Sequence, residues 1–352
     1  MKPNKISIKK NLIFIILLLI LIPLILLFIK YKNQEIFKSN EIYKKELVAN
    51  SIELEYDIKK LLISNSKKWL LAYGYEGGGF SVFSIENIPN LSVLFHIYIF
   101  EDKKSKLDAV FSKNDEFLYT VSYDFGLRKF NLLSKKQVKK LDLKECYRID
   151  LSKDDKFAFL KCKENLTIVD LEKFKKIKEI PIYKSKFGDI IVNGDLLYLS
   201  DYSKNYIYDI KEIQNIKQIA KFETKGFAYD MKIYKNYLIL SQRSTIDIYD
   251  ISNKFKIKYL ASYISDEVIN GFDMNENMMI LSTNKTSSSQ SSQLLFLKFK
   301  NKNEIELINK ISFVDANLID AVFSLDGKNI YLLADRLVGH YEINKRSKLQ
   351  IR

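Results

Sequence analysis

The chain has 352 residues, 47% of them apolar and 28% charged, with a formal net charge of +14. Length alone does not divide it, because single all-β domains often exceed ~200 residues. Of the 57 basic residues only six are arginine (Arg128, Arg148, Arg243, Arg336, Arg346 and Arg352), and Lys, Ile, Asn, Tyr and Phe are abundant together, as in the amino-acid bias of AT-rich bacterial genomes. Scarce arginine forks for reading base edges argue against nucleic acid as a partner.

Residues 1–10 form a basic tail with Lys2, Lys5, Lys9 and Lys10, the positive region expected to stay in the cytoplasm. "NLIFIILLLILIPLILLFI", residues 11–29, follows with eighteen consecutive apolar residues after Asn11. At ~1.5 Å per residue a helix of that length spans a ~30 Å hydrocarbon core. No small-residue cleavage site follows it and no cysteine is placed for lipid attachment, which predicts an uncleaved, single-pass signal anchor. Pro23 lies in mid-span, where neighbouring turns tolerate it. Residues 30–50 are polar and charged and read as a stalk. The expected location is a bacterial inner membrane, with residues 51–352 in the periplasm or outside.

From residue 51 onward short alternating strands are broken by turns, and they repeat. "RIDLSKDDKFAFLKCKENLTIVDL", "DIIVNGDLLYLSDYSKNYIYDI" and "DMKIYKNYLILSQRSTIDIYDI" each give a strand, a polar turn, a second strand, a loop and a third strand. The residue opening the first turn is Ser64, Ser112, Ser152, Asn193, Tyr234, Asn275 and Ser324 in successive copies, spaced by 48, 40, 41, 41, 41 and 49 residues. Between copies lies a fourth strand such as "KKIKEIPIY".

A period of ~40–50 residues with four strands per unit is that of a β-propeller blade. One such sheet cannot cover both of its apolar faces, so blades stack around an axis until the ring closes. The expected fold class is therefore all-β, a seven-bladed β-propeller of four-stranded antiparallel blades, preceded by one N-terminal transmembrane helix. "NKTSSSQSSQ", 284–293, reads as a loop between the second and third strands of blade six. The fourth strand of the last blade comes either from the C-terminal "KLQIR" or from residues near 47–56.

The units at 189–210 and 230–253 resemble the LVIVD repeats of bacterial propellers: Asp, alternating apolar residues, a Gly/Asn turn, an apolar strand, then Ile-x-Asp-Ile. Those at 108–132 and 320–343 look more like WD40-like or YVTN-type blades, although the Trp-Asp pairs of true WD40 blades are missing. The resemblance covers roughly residues 51–350 and implies fold much more than function.

The most regular polar feature is an aspartate four residues before the first turn: Asp108, Asp189, Asp230 and Asp320, with Lys60, Arg148 and Gly271 in the other copies. Each begins an innermost strand, so these side chains should gather at one mouth of the central channel. The favoured role is to accept backbone N–H groups of the adjacent blade and lock the ring. The alternative is an acidic collar holding a cation, which makes the four aspartates candidate metal residues. Asp170, Asp209 and Asp250 precede the turn after the third strand, where Asp bonds its own backbone two residues on.

Catalytic inventory is thin. His96 and His340 are the only histidines, both in strand-like runs of different blades, which starves a histidine metal site or a Ser-His-Asp relay. "SLDGKNIY", 324–331, resembles an Asp-box turn but occurs once, and no phosphate-cradling glycine loop opens a helix. Cys146 and Cys162 face each other if the turn "SKDDK" takes five residues and pairs Leu151 with Phe157, so a disulfide and a pair of buried thiols both stay open. The sequence thus predicts no enzyme and no cofactor, but a protein-docking or assembly scaffold with envelope protein partners; the alternative is a ligand- or cation-binding propeller, or a lactonase-like hydrolase, using the channel mouth.

Overall fold

Runs of β-branched, leucine and aromatic residues separated by turn residues form strands throughout the computed structural model. It describes residues 40–43, 51–54, 57–74, 79–86, 91–98, 107–183, 185, 187–276, 278–284, 291–301, 304–324 and 326–343. The expected membrane helix (11–29) and "KLQIR" (348–352) lie outside these. Among the described residues no helix is long and apolar enough to cross a membrane.

The first strands in the chain are β1 (Asn40–Tyr43) and β2 (Ser51–Glu53). Blade one is then β3 (Lys60–Ile63), β4 (Trp69–Tyr73), β5 (Gly79–Ser84) and β6 (Ser92–Tyr98), and blade two β7 (Leu107–Phe111), β8 (Phe117–Ser122), β9 (Gly126–Asn131) and β10 (Lys136–Leu141). Blade three is β11 (Cys146–Leu151), β12 (Phe157–Cys162), β13 (Asn165–Asp170) and β14 (Lys175–Pro181). Blade four is β15 (Ile190–Asn193), β16 (Leu196–Asp201), β17 (Lys204–Asp209) and β18 (Lys217–Glu223), and blade five β19 (Asp230–Tyr234), β20 (Tyr237–Ser241), β21 (Thr245–Asp250) and β22 (Lys258–Ile264). Blade six is β23 (Ile269–Asn275), β24 (Met278–Thr283), β25 (Ser291–Asn301) and β26 (Glu304–Val314), with β1 added beside β26 as a fifth strand; residues 40–43, expected in the stalk, thus join a sheet. Blade seven is β27 (Leu318–Phe323), β28 (Asn329–Ala334) and β29 (Leu337–Glu342).

The fourth strand of blade seven is β2, antiparallel to β29 with Ser51 opposite Gly339, Ile52 opposite Val338 and Glu53 opposite Leu337. Of the two segments the sequence left open, the N-terminal one closes the ring. The physical need is an unpaired strand edge at β29, which β2 covers with backbone hydrogen bonds. Ile52 packs on the cluster containing Leu333 and Val338, and Leu54 N–H donates to Arg336 O at 2.9 Å.

Seven apolar clusters occupy the seven blade interfaces, one each. Second and third strands are apolar on both faces because both faces meet a neighbouring blade: in β12, Ala158 to Cys162 are all buried, Lys161 included. Outer strands see solvent, and β10 is exposed along almost its whole length.

One register expectation needs correcting. Leu151 pairs with Ala158, not Phe157, because Ser152 Oγ accepts the Phe157 N–H at 3.0 Å inside the turn. A β-bulge between Cys146 and Arg148 inserts one extra residue, which restores Cys146 opposite Cys162. The two cysteines are joined in a disulfide, their Cα atoms 3.7 Å apart.

Candidate functional site at the channel mouth

The innermost strand of every blade starts at the same end of the ring, so residues at its start converge. Asp108, Asp189, Asp230 and Asp320, with Lys60 and Arg148, line one recess of about 240 Å³. The sequence-predicted set is therefore brought together, and its bonding is regular. Asp108 accepts the Ile149 N–H of the next blade at 3.0 Å, Asp189 that of Met231 at 2.8 Å and Asp320 that of Leu61 at 2.9 Å.

In two of the three copies where the expected aspartate is replaced, another stands two residues on, one pleat further along the same strand face; the third has Leu62 there, after Lys60. Asp150, after Arg148, accepts Val192 N–H at 2.6 Å, and Asp273, after Gly271, accepts Phe323 N–H at 2.8 Å. Five of the seven blade interfaces thus carry an aspartate-to-backbone link from an innermost strand, and between blades one and two Asp115 of the following turn accepts the Asn65 N–H at 2.9 Å. Sequence reasoning missed Asp150 and Asp273, although their i+2 offset was visible. Gly271 has its own reason: a Cβ there would stand 2.1 Å from Asp320 Oδ1.

Asp230 departs from the rule. It pairs with Lys60 of blade one, three blades round the ring, and Lys232 reaches Asp273 of blade six at 2.7 Å. Arg148 Nε lies 3.2 Å from Asp189, and Tyr73 OH donates to Asp108 at 3.2 Å. Burial, reinforced by the Asp230 charge, pushes the Asp189 carboxyl up to about 8. Burial likewise lifts Asp150 to about 7 and Asp320 to about 6, and raises Asp108. Burial alone would raise Asp230 too, but the Lys60 and Lys232 charges outweigh it and hold this carboxyl below its ordinary value.

Among the described residues no group of three or more His, Cys, Asp and Glu is arranged to hold a metal ion. Asp170, Asp209 and Asp250 each accept the N–H two residues on, at 3.0, 3.1 and 2.8 Å, as turn geometry requires. His340 is buried and its Nε2 meets Asn329 Oδ1 at 2.9 Å, while His96 Nδ1 meets Ser81 Oγ at 2.7 Å, so the two lie in blades seven and one and do not meet in a relay.

Beside the mouth lies a feature the repeat alignment passed over. The connections entering blades four and five carry "FGD" and "FAYD", which put Phe187 two residues before Asp189, and Phe227 and Tyr229 three and one before Asp230. Phe187, Tyr202, Phe227 and Tyr229 form one ring cluster with Tyr183: Tyr202 and Phe227 centroids are 3.8 Å apart, and Phe187 stacks on Phe227 at 5.9 Å. Tyr183, Tyr202 and Tyr229 remain 53%, 39% and 38% exposed. Tyr202 sits at φ 66°, a left-handed conformation that glycine or asparagine adopts at lower cost. Beneath this cluster Lys161 and Asp201, 1% and 0% exposed, bridge blades three and four at 3.2 Å.

No protein-family model matches the sequence, and no curated protein matches it. Solved structures do. The chain is similar to the RRP9 WD40 repeats (8% identity, 83% of this chain and 98% of that one, TM-score 0.66) and to Raptor of Chaetomium thermophilum (12% identity, 86% and 30%, TM-score 0.68). It is also similar to a chain of the Mitotic Checkpoint Complex (10% identity, 84% and 91%, TM-score 0.66). At these identities the likeness shows the fold, and fold and channel together define a seven-bladed β-propeller with the shape of a WD40-repeat domain.

Proposed function

We propose that this protein is a docking scaffold of the bacterial envelope, anchored in the inner membrane by residues 11–29, with its propeller in the periplasm or outside. The observation that carries the reading is the exposed aromatic cluster at the channel mouth. Tyrosine and other aromatics supply large contact area at low entropic cost and dominate the energetic centres of protein interfaces. A strained Tyr202 in place of the residue its turn favours is a local backbone cost, and it leaves 39% of the tyrosine open to a partner. The channel carboxylates are meanwhile engaged in joining blades. The disulfide supports an oxidising compartment. Among the neighbours, a propeller within a checkpoint complex is an example of this shape serving in an assembly. The repeat pattern supports kinship with bacterial LVIVD or YVTN-type blades.

A second reading, a cation- or ligand-binding mouth or a lactonase-like site, is favoured by the recess itself, with five aspartates in its lining. One experiment separates the two. The protein is captured from native membranes after mild cross-linking, as wild type, as Tyr202→Ser/Tyr229→Ser, and with Asp108, Asp189, Asp230 and Asp320 changed to Asn. Envelope partners that are lost with the tyrosines and kept by the folded Asn variant support the scaffold. Stoichiometric metal in the wild type, lost in the folded Asn variant, with no partner captured, supports the alternative.

A further inference from the structure

The positive charge of the propeller is segregated. The outer strands of blades two to five (β10, β14, β18, β22) hold nine lysines and two glutamates, net +7, whereas those of blades six, seven and one (β26, β2, β6) hold one lysine and three glutamates, net −2. Because blades one to six run the same meander, their turns from third to outer strand all emerge on one face, opposite the channel mouth. In blades two and five these turns end in exposed apolar tips. Leu133 is 89% exposed and Phe255 66%, and each has lysine beside it: Lys135 after Leu133, Lys256 after Phe255. The blade-three turn between them adds Lys173, exposed beside Glu172 and two residues before Lys175 at the start of β14.

We infer that this turn face, with the basic half of the rim, docks on the surface of an anionic phospholipid bilayer. Apolar tips flanked by lysines suit a lipid interface: the tip enters the acyl boundary while the ammonium groups stay among anionic headgroups. Lysine on an outer strand also discourages pairing with another chain, but that role does not explain the asymmetry, since β6 is equally an edge and carries no lysine. Nor does it explain Leu133 and Phe255. A nucleic-acid groove would pair cations with stacking rings and arginine forks, and every basic residue on these four strands is lysine. Docked this way, the disc turns its channel mouth and aromatic cluster away from the lipid.

The inference does not depend on the membrane helix, so it is tested without it. Residues 41–352 form one compact unit that contains all seven blades and the closing strand β2. This fragment is sedimented with vesicles of phosphatidylcholine alone or mixed with phosphatidylglycerol. It should partition onto the mixed vesicles and be released by salt. Lys135→Gln, Lys173→Gln or Lys256→Gln should each lower partition about 5-fold, and Leu133→Ser with Phe255→Ser about 10-fold. Lys225→Gln, on the mouth face, should leave it unchanged. Equal partition onto both vesicle types would overturn the inference, as would an equal loss with Lys225→Gln. So would full competition by soluble polyglutamate with Leu133 and Phe255 dispensable, which would mark an acidic protein as the occupant.

Discussion

Asp189 shows how one carboxyl reports on the whole ring. It accepts Met231 N–H and faces Arg148, yet burial and the nearby Asp230 hold it protonated up to about pH 8. An unfolded aspartate ionises near ~3.9. Between those values the folded chain binds more protons than the unfolded one, so this group's contribution falls as pH rises through the window, by at most about 1.4 kcal/mol per pH unit. Asp150 and Asp320 act in the same sense up to about 7 and about 6. Asp230, held low, acts oppositely and only at acid pH, where its stabilisation is lost as it protonates. The melting temperature should therefore rise from about pH 8 to about pH 6, and Asp189→Asn, whose amide oxygen still accepts the Met231 N–H, should flatten the slope. A melting temperature that falls over that interval would remove the account of the mouth as a protonated lock. The aspartates were legible in sequence because they recur at a fixed offset; their protonation was not, because burial and the approach of Asp230 exist only once the blades meet.

At the scale of elements, the three-residue strand β2 decides whether the ring is closed. Its outward ion pair, Glu53 to Arg336 at 2.9 Å, is half exposed and adds little. Its worth lies in covering the edge of β29 and in seating Ile52 on the core between blades seven and one. Ile52→Pro removes a ladder N–H and should destabilise the propeller by about 2–4 kcal/mol, read by thermal denaturation, with blade seven the first region opened to protease. Unchanged stability would mean that the closing strand is dispensable. The sequence placed two segments at this edge and had no means of choosing, since β2 is too short for its alternation to stand out from chance. The bulge at Tyr147 is a similar case: periodicity sets which face a strand presents, but one inserted residue shifts register without altering composition.

On the scale of the molecule, the disulfide and the charge distribution bear on where the protein works. Intact mass analysis under non-reducing conditions should find the full-length protein recovered from its cells two hydrogen atoms lighter than its reduced form, as the Cys146–Cys162 bond requires. Two free thiols in protein so recovered would contradict that bond and count against the proposed extracytoplasmic placement. The +14 of the whole chain is uninformative as a sum, because no stretch of sequence holds a long lysine run. Folding turns it into a pattern by bringing the outer strands of four consecutive blades side by side.

What the sequence determined by itself was whatever is periodic: the seven copies, the antiparallel blades and the converging aspartates, since repetition forces equivalent residues to equivalent places around an axis. Only the tertiary structure decided which terminus closes the ring, that Asp230 pairs with Lys60 rather than with the next blade, and that five aromatic rings meet beside the mouth. Each of these joins residues from different copies, at distances set by ring closure, and a local pattern carries no record of that geometry.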